Sequence, residues 1–191
     1  VSTATGCITG WTLSAPDDWV TLPASFDDVT DTLLAEATTS DDAARYLREY
    51  VRATLPALAS DDPLLVALWV PDPELGAPMA VLRAVHYRNA DPDVYEQMVA
   101  NAETDEGGSL LGVERTDGEV DAGRLLVMER QEAWANGTVE HQLHLGVFPE
   151  GTDEAVVLVF ICTALHRIDE LALIARDITD TMRLRIEEEA S

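Results

Sequence analysis

Ala155 to Cys162 is eight apolar residues in a row, rich in Val and Ile. That length and β-branching specify a strand buried on both faces rather than a helix segment. The period then changes. Leu171, Ile174, Ala175, Ile178 and Met182 recur at helical spacing, with Asp169, Glu170, Arg176, Asp177 and Arg183 filling the gaps. An interior strand feeding an amphipathic helix, expected over about Asp169 to Leu184, is the nucleus of a layered α/β domain. It is a packing motif and carries no chemistry of its own.

At 191 residues the chain suits one domain with a substantial core. Upstream of that nucleus, Trp11 to Ala15 and Trp19 to Pro23 are extended pieces bracketed by Pro16 and Pro23. Residues 1–10 read as an N-terminal tail. Ser25 is an expected N-cap for a helix to about Ala37 with Phe26, Val29, Leu33 and Ala37 on one face and Asp27 and Asp28 in its first turn. Ser40 caps a second helix burying Ala44, Leu47, Val51, Leu55 and Leu58, and Pro56 should kink it or end its regular part near Thr54. Leu64–Val70 and Met79–Tyr87 read as antiparallel strands joined by a Pro- and Gly-containing loop. Asp91-Pro92 opens a short helix carrying Val94, Tyr95, Met98 and Val99. Ser109–Arg115, Arg124–Glu132, Val139–Phe148 and Ala155–Cys162 follow as an antiparallel meander, with turns at Asp117-Gly118, Asn136-Gly137 and Pro149-Glu-Gly151. Residues 185–191 are expected to fray, since Glu187-Glu188-Glu189 opposes the helix dipole.

The balance of 36 acidic against 12 basic residues, a net charge of −24, narrows the partners. Nucleic acid and anionic membrane are repelled. Two readings of the acidity stand: a surface shaped for a basic partner, or a compositional bias. All the basic residues are Arg, as a GC-rich coding sequence would give, and salt-adapted proteins carry excess Asp and Glu. No apolar run reaches the length of a membrane span, and no leader precedes Trp11, so a cytoplasmic protein is expected. Ala4-Thr5-Gly6-Cys7 resembles a lipoprotein cleavage site only if the chain is truncated. Cys7 and Cys162 make no disulfide framework.

Motifs for chemistry are missing. No glycine-rich phosphate loop and no Gly-x-Ser-x-Gly elbow occurs. His141 and His144 are three apart on a strand, so they point to opposite faces and cannot share a metal ion. His86 reads as a core histidine and His166 as a linker residue. Paired carboxylates discriminate nothing in a chain this acidic. No cofactor, metal or catalytic residue is expected. Arg45, Arg48 and Arg52 form a stripe beside the apolar face of the second helix, expected to pair locally with Asp41, Asp42 and Glu49.

The order of elements resembles a known family. Trp11-Thr-Leu-Ser-Ala-Pro-Asp-Asp-Trp19-Val-Thr-Leu-Pro is similar to the opening strand and entry of the PsbP-like fold. Val156–Thr163 with Leu171–Arg183 resembles its closing strand and helix, and Asp121-Ala-Gly123-Arg124-Leu-Leu-Val the strand after its central Gly turn. That superfamily includes the photosystem II extrinsic protein, a Ran-binding nuclear import factor and actinobacterial LpqN-type lipoproteins. The pattern looks most like the actinobacterial members, with helices inserted at 25–59. The resemblance implies a single three-layer α/β/α sandwich over 1–191, around a mostly antiparallel sheet of six or seven strands. It also implies a binding or scaffolding role without catalysis, and it transfers no functional residue.

Three functions follow as expectations. The first is a non-enzymatic protein-binding accessory or adaptor domain of a GC-rich bacterium, its protein partner unspecified and its oligomeric state open. The second is an acidic immunity-type inhibitor of a basic toxin or nuclease, which would use one acidic face for steered association. The third is small-ligand binding between sheet and helices, which needs a ligand-sized cavity. The expected contact surface lies on Val139–Phe148. Leu143, Leu145 and Val147 should face the core, leaving Glu140, Gln142 and His144 on a face that helices cover incompletely. His144 there would make binding depend on pH.

Overall fold

The computed structural model describes residues 6–23, 28–60, 62–104 and 107–188. Its centre is the apolar run, which forms strand β8 (Ala155–Cys162) with almost every side chain buried. A seven-stranded antiparallel sheet is built outward from it in the order β2-β3-β4-β8-β7-β6-β5. On one side lie β4 (Ala80–Tyr87), β3 (Leu65–Trp69) and the edge strand β2 (Trp19–Leu22). On the other side β7 (Val139–Phe148), β6 (Gly123–Ala133) and β5 (Ser109–Val120) complete the meander.

The hairpin between β5 and β6 runs longer than the sequence reading. The expected turn at Asp117-Gly118 is strand, Gly118 pairing with Leu125, and the chain reverses at Asp121-Ala122. Gly123 follows at φ +143°, where a Cβ would stand 2.6 Å from the Phe148 carbonyl oxygen and 2.7 Å from the Pro149 Cα. Only glycine lets β6 leave the turn so close to the end of β7.

Helices cover both faces of the sheet, giving three layers. Helix α4 (Ile168–Asp180) lies on one face through Leu171, Ala175 and Ile178, packed with Trp19, Trp69, Leu82, Leu145 and Phe160. The opposite face carries α1 (Asp28–Glu36), α2 (Asp41–Leu58) and α3 (Pro92–Ala100). Two of the three expected caps are seen among the described residues. The Ser40 hydroxyl accepts from the Ala43 N–H at 3.2 Å, and the Asp91 carboxylate accepts from the Asp93 and Val94 amides.

Several boundaries differ from expectation. Of the two outcomes expected at Pro56, a kink or an end near Thr54, the second does not occur: helix α2 continues through Pro56 to Leu58, and the proline forgoes one backbone bond in the last turn. Val29 is exposed, and α1 buries Thr30 and Leu34 against α2 and β2 instead. The Ser25 cap, Phe26 and Asp27 lie outside the described residues.

The largest correction concerns the two ends. Residues 6–10 belong to strand β1 (Gly6–Thr12), not to a tail, and the last helix stops at Asp180. Arg183–Glu188 then forms strand β9, where a fraying helix was expected; Glu189 and the residues after it lie outside the description. β1 and β9 pair antiparallel as a separate ribbon, Gly6 opposite Glu188 and Thr12 opposite Arg183. Ile8, Leu13 and Leu184 dock beside α4 on its face of the sheet. The Glu154 carboxylate accepts from the Ile8 amide at 2.5 Å and approaches His86 at 3.2 Å, tying the ribbon to the start of β8.

Exposed carboxylates occur in every layer: Asp41 and Asp42 on α2, Asp93 on α3, Glu114 and Glu119 on β5, Asp169, Glu170, Asp177 and Asp180 on α4. Dispersed like charge destabilises the compact state, and salt screens it. The melting temperature is therefore expected to rise between low salt and about 1 M NaCl, where the Debye length falls to about 3 Å. A flat or falling melting curve in calorimetry would contradict this.

Candidate functional site

Strand β7 has two chemically different faces. Leu143, Leu145 and Val147 are buried against the α4 layer, as alternation requires. Glu140, Gln142 and His144 lie on the opposite face. The helical cover there is in two parts, α1–α2 over β2 and β3 and α3 over β6 and β7. Between them a cavity of about 580 Å³ opens beside α3. Its floor is Arg83, Val85 and Tyr87 of β4, Val159 and Ile161 of β8, Gln142 and His144 of β7 and Arg130 of β6. Its wall is Tyr95, Met98, Val99 and Ala102. Met98 is 46% exposed and forms the mouth. Ile161 also packs against the α2 cluster and marks where that cover stops.

Only part of the expected polar strip is accessible. Gln142 is half-buried, whereas Glu140 and His144 are buried at 7% and 8% exposure. Over His144 the reason is α3, whose Tyr95 reaches down onto the ring. The strip is ordered by a one-way series of hydrogen bonds. The Gln142 amide donates to Glu140 Oε1 at 2.6 Å. Gln142 Oε1 therefore accepts from His144 Nε2 at 3.2 Å, which leaves His144 Nδ1 to accept from the Tyr95 hydroxyl at 2.8 Å. Burial, and secondarily the Arg130 charge, pushes the His144 imidazole down to about 4. The ring is thus neutral at pH 7, as this bonding requires. Burial likewise raises the Tyr95 phenol, with Tyr87 adding to it.

Arg130 was missed by the sequence reading and sits at the centre of the floor, 4% exposed. Its Nη2 donates to the Ala102 carbonyl at 2.9 Å and lies 3.0 Å from Glu132 Oε2. That contact is not aligned as a hydrogen bond, and the Arg130 Nε–H has no hydrogen-bond acceptor among the described residues. The missed signal was register. Leu126, Met128, Arg130 and Glu132 share one face of β6, and Val81, Arg83, Val85 and Tyr87 one face of β4, so each arginine follows an apolar row inward.

The remaining candidates fall elsewhere. His141 lies on the α4 face, opposite Cys162 across the strands, and shares Nδ1 with the Gln131 amide at 3.2 Å. The two imidazoles of 141 and 144 are thus on opposite faces of β7. The Cys162 thiol donates to the Ala164 carbonyl, and burial raises it, so it is held protonated. His166 is in a 3-10 turn before α4. Arg45 pairs with Asp42 on α2, as expected, while Arg48 reaches Asp31 of α1. Among the described residues no group of His, Cys, Asp or Glu could hold a metal ion, and no helix is long and apolar enough to cross a membrane.

No family model and no curated protein sequence matches the chain. Solved structures do. The chain is similar to LpqN of Mycobacterium tuberculosis, described as involved in cell envelope biogenesis. The TM-score is 0.52, the identity 14%, and the match covers 94% of this chain and 84% of that one. It is also similar to the cyanobacterial PsbP (CyanoP) of Synechocystis, with a TM-score of 0.49, 12% identity, and 97% and 95% of the two chains covered. The antiparallel sheet, its helices on both faces and the likeness to LpqN over nearly the whole chain agree, and the chain has the PsbP-like fold.

Proposed function

We propose that the chain is a non-enzymatic accessory domain that binds a protein partner through the cleft beside α3. The observation that supports this reading is the gap in the helical cover, which leaves a cavity of about 580 Å³ over a fixed polar floor. Its groups are poorly suited to catalysis. His144 is a weak base with a pKa near 4, and Tyr95 is held protonated. They are suited to presenting a rigid, oriented surface, because each is locked by the next. Glu140 then acts as an anchor beneath the contact, with Gln142 and His144 as its floor. The inhibitor reading is less well supported, since the acidic side chains are spread over every layer instead of forming one face.

Affinity capture from native lysate at low salt tests the proposal. Met98→Trp narrows the mouth of the cleft, and Leu173→Glu alters an exposed position on α4, on the other face. The expected result is a partner held by wild type and by Leu173→Glu and lost, by about tenfold or more, from Met98→Trp. Equal recovery with all three proteins would place the contact elsewhere.

A further inference from the structure

We infer that the cleft takes an organic anion: a carboxylate carried on an apolar body. This deepens the binding reading and rests on the cleft being the contact site. In a chain of net charge −24, the formally charged side chains lining this cavity among the described residues are Arg83 and Arg130, with no Asp or Glu among them. Lining of that sign against that background selects a negative guest. Among the described residues the Arg130 Nε–H lacks an acceptor, and its contact to Glu132 is misaligned. A buried guanidinium donor left in this state is stabilised by an incoming carboxylate, whose bonds to arginine are charge-assisted and directional. Glu132, 3.0 Å from Arg130, lies outside the lining. Apolar side chains stand beside this polar floor: Val85, Met98, Val99, Val159 and Ile161. The volume is that of a small-ligand pocket, with room for a ring or short chain behind the carboxylate. The same chemistry is offered by a free small acid and by the C-terminal residue of a partner protein when that residue is apolar.

Calorimetric titration of the whole chain at about 0.15 M salt, where screening confines the acidic exterior to about 8 Å, separates these cases. The probes are 4-phenylbutyrate, the neutral 4-phenylbutan-1-ol, inorganic phosphate, and a short peptide ending in Leu-Phe with its C-terminus free or amidated. The acid should bind about tenfold or more tightly than the alcohol, and phosphate should not compete. Met98→Glu, an exposed change at the mouth that leaves the core untouched, should weaken the acid by about tenfold and the alcohol by less than about twofold. If the free-ended peptide binds as the acid does and the amide does not, the source is a protein terminus. If the peptide is excluded while the acid binds, it is a free small acid. The inference is overturned if the alcohol matches the acid, if phosphate binds as well as either, or if no probe binds. Capture lost from Met98→Trp with alcohol and acid binding equally would keep the cleft and discard the anion. Capture unaffected and no probe bound would discard both.

Discussion

Ile178→Ala is expected to lower the unfolding free energy by about 2–5 kcal/mol, read as a shifted urea midpoint with an unchanged slope. Ile178 is 1% exposed and sits among Leu171, Ala175, Met182 and the inner row of the sheet. A truncation there removes methyl groups from a site whose neighbours are themselves fixed in strands, so the hole cannot close. The same substitution at Leu173, 70% exposed on the outer side of α4, should change stability by less than about half a kcal/mol. A loss that small at Ile178 would mean that α4 is not the cover of this face.

The second large effect is tied to pH. An unfolded histidine titrates near 6.5, whereas His144 in the folded protein titrates near 4. Between those values the unfolded chain binds a proton that the folded chain does not. Stability is therefore lost as pH falls through that window, by up to about 3 kcal/mol. Protonation would place a second positive charge beside Arg130 and remove the acceptor that Tyr95 uses. Acidification also neutralises surface carboxylates and relieves their repulsion, which works in the opposite direction. The measurement is accordingly a difference: denaturant unfolding of wild type and His144→Gln at pH 7.5 and 4.5. Wild type should lose about 2–3 kcal/mol more than the variant over that interval. Parallel behaviour of the two proteins would show that His144 is not held neutral by the fold.

What could be read from the sequence, and what could not, follows the range of the forces involved. β8 and β7 were legible to the residue because their patterns are complete in themselves, one continuous and the other alternating. Helix α4 was legible as a stripe, but its end was not. Met182 lies four residues beyond Ile178 and is equally buried, so the helical period runs on past the point where Thr181 turns the chain. The β1–β9 ribbon was invisible because its strands are more than 170 residues apart and each carries only a sparse apolar alternation. On α1 the apolar count misled at one position: Leu33 and Ala37 pack as expected, but Val29 faces water while Thr30 is buried. The candidate site was half legible. Gln142 and His144 announced themselves by alternation, yet the cleft depends on Tyr95 reaching down onto His144 and on the gap between the α2 and α3 covers. Neither fact has a local signature.

The terminal ribbon has a mechanical consequence. Gly6 and Glu188 face each other at one end of it, so a load applied through both chain ends would pull at the same pair. Antiparallel strands loaded in that way separate like a zipper, one rung at a time, and not by sliding all their hydrogen bonds at once. The ribbon would therefore open at low force and lengthen the molecule while the seven-stranded sheet kept its register. Because Gly6 is bonded to Gly151 and Ile8 to Glu154, tension would reach the turn before β8 at the first rungs, well before it had undone Thr12 from Arg183.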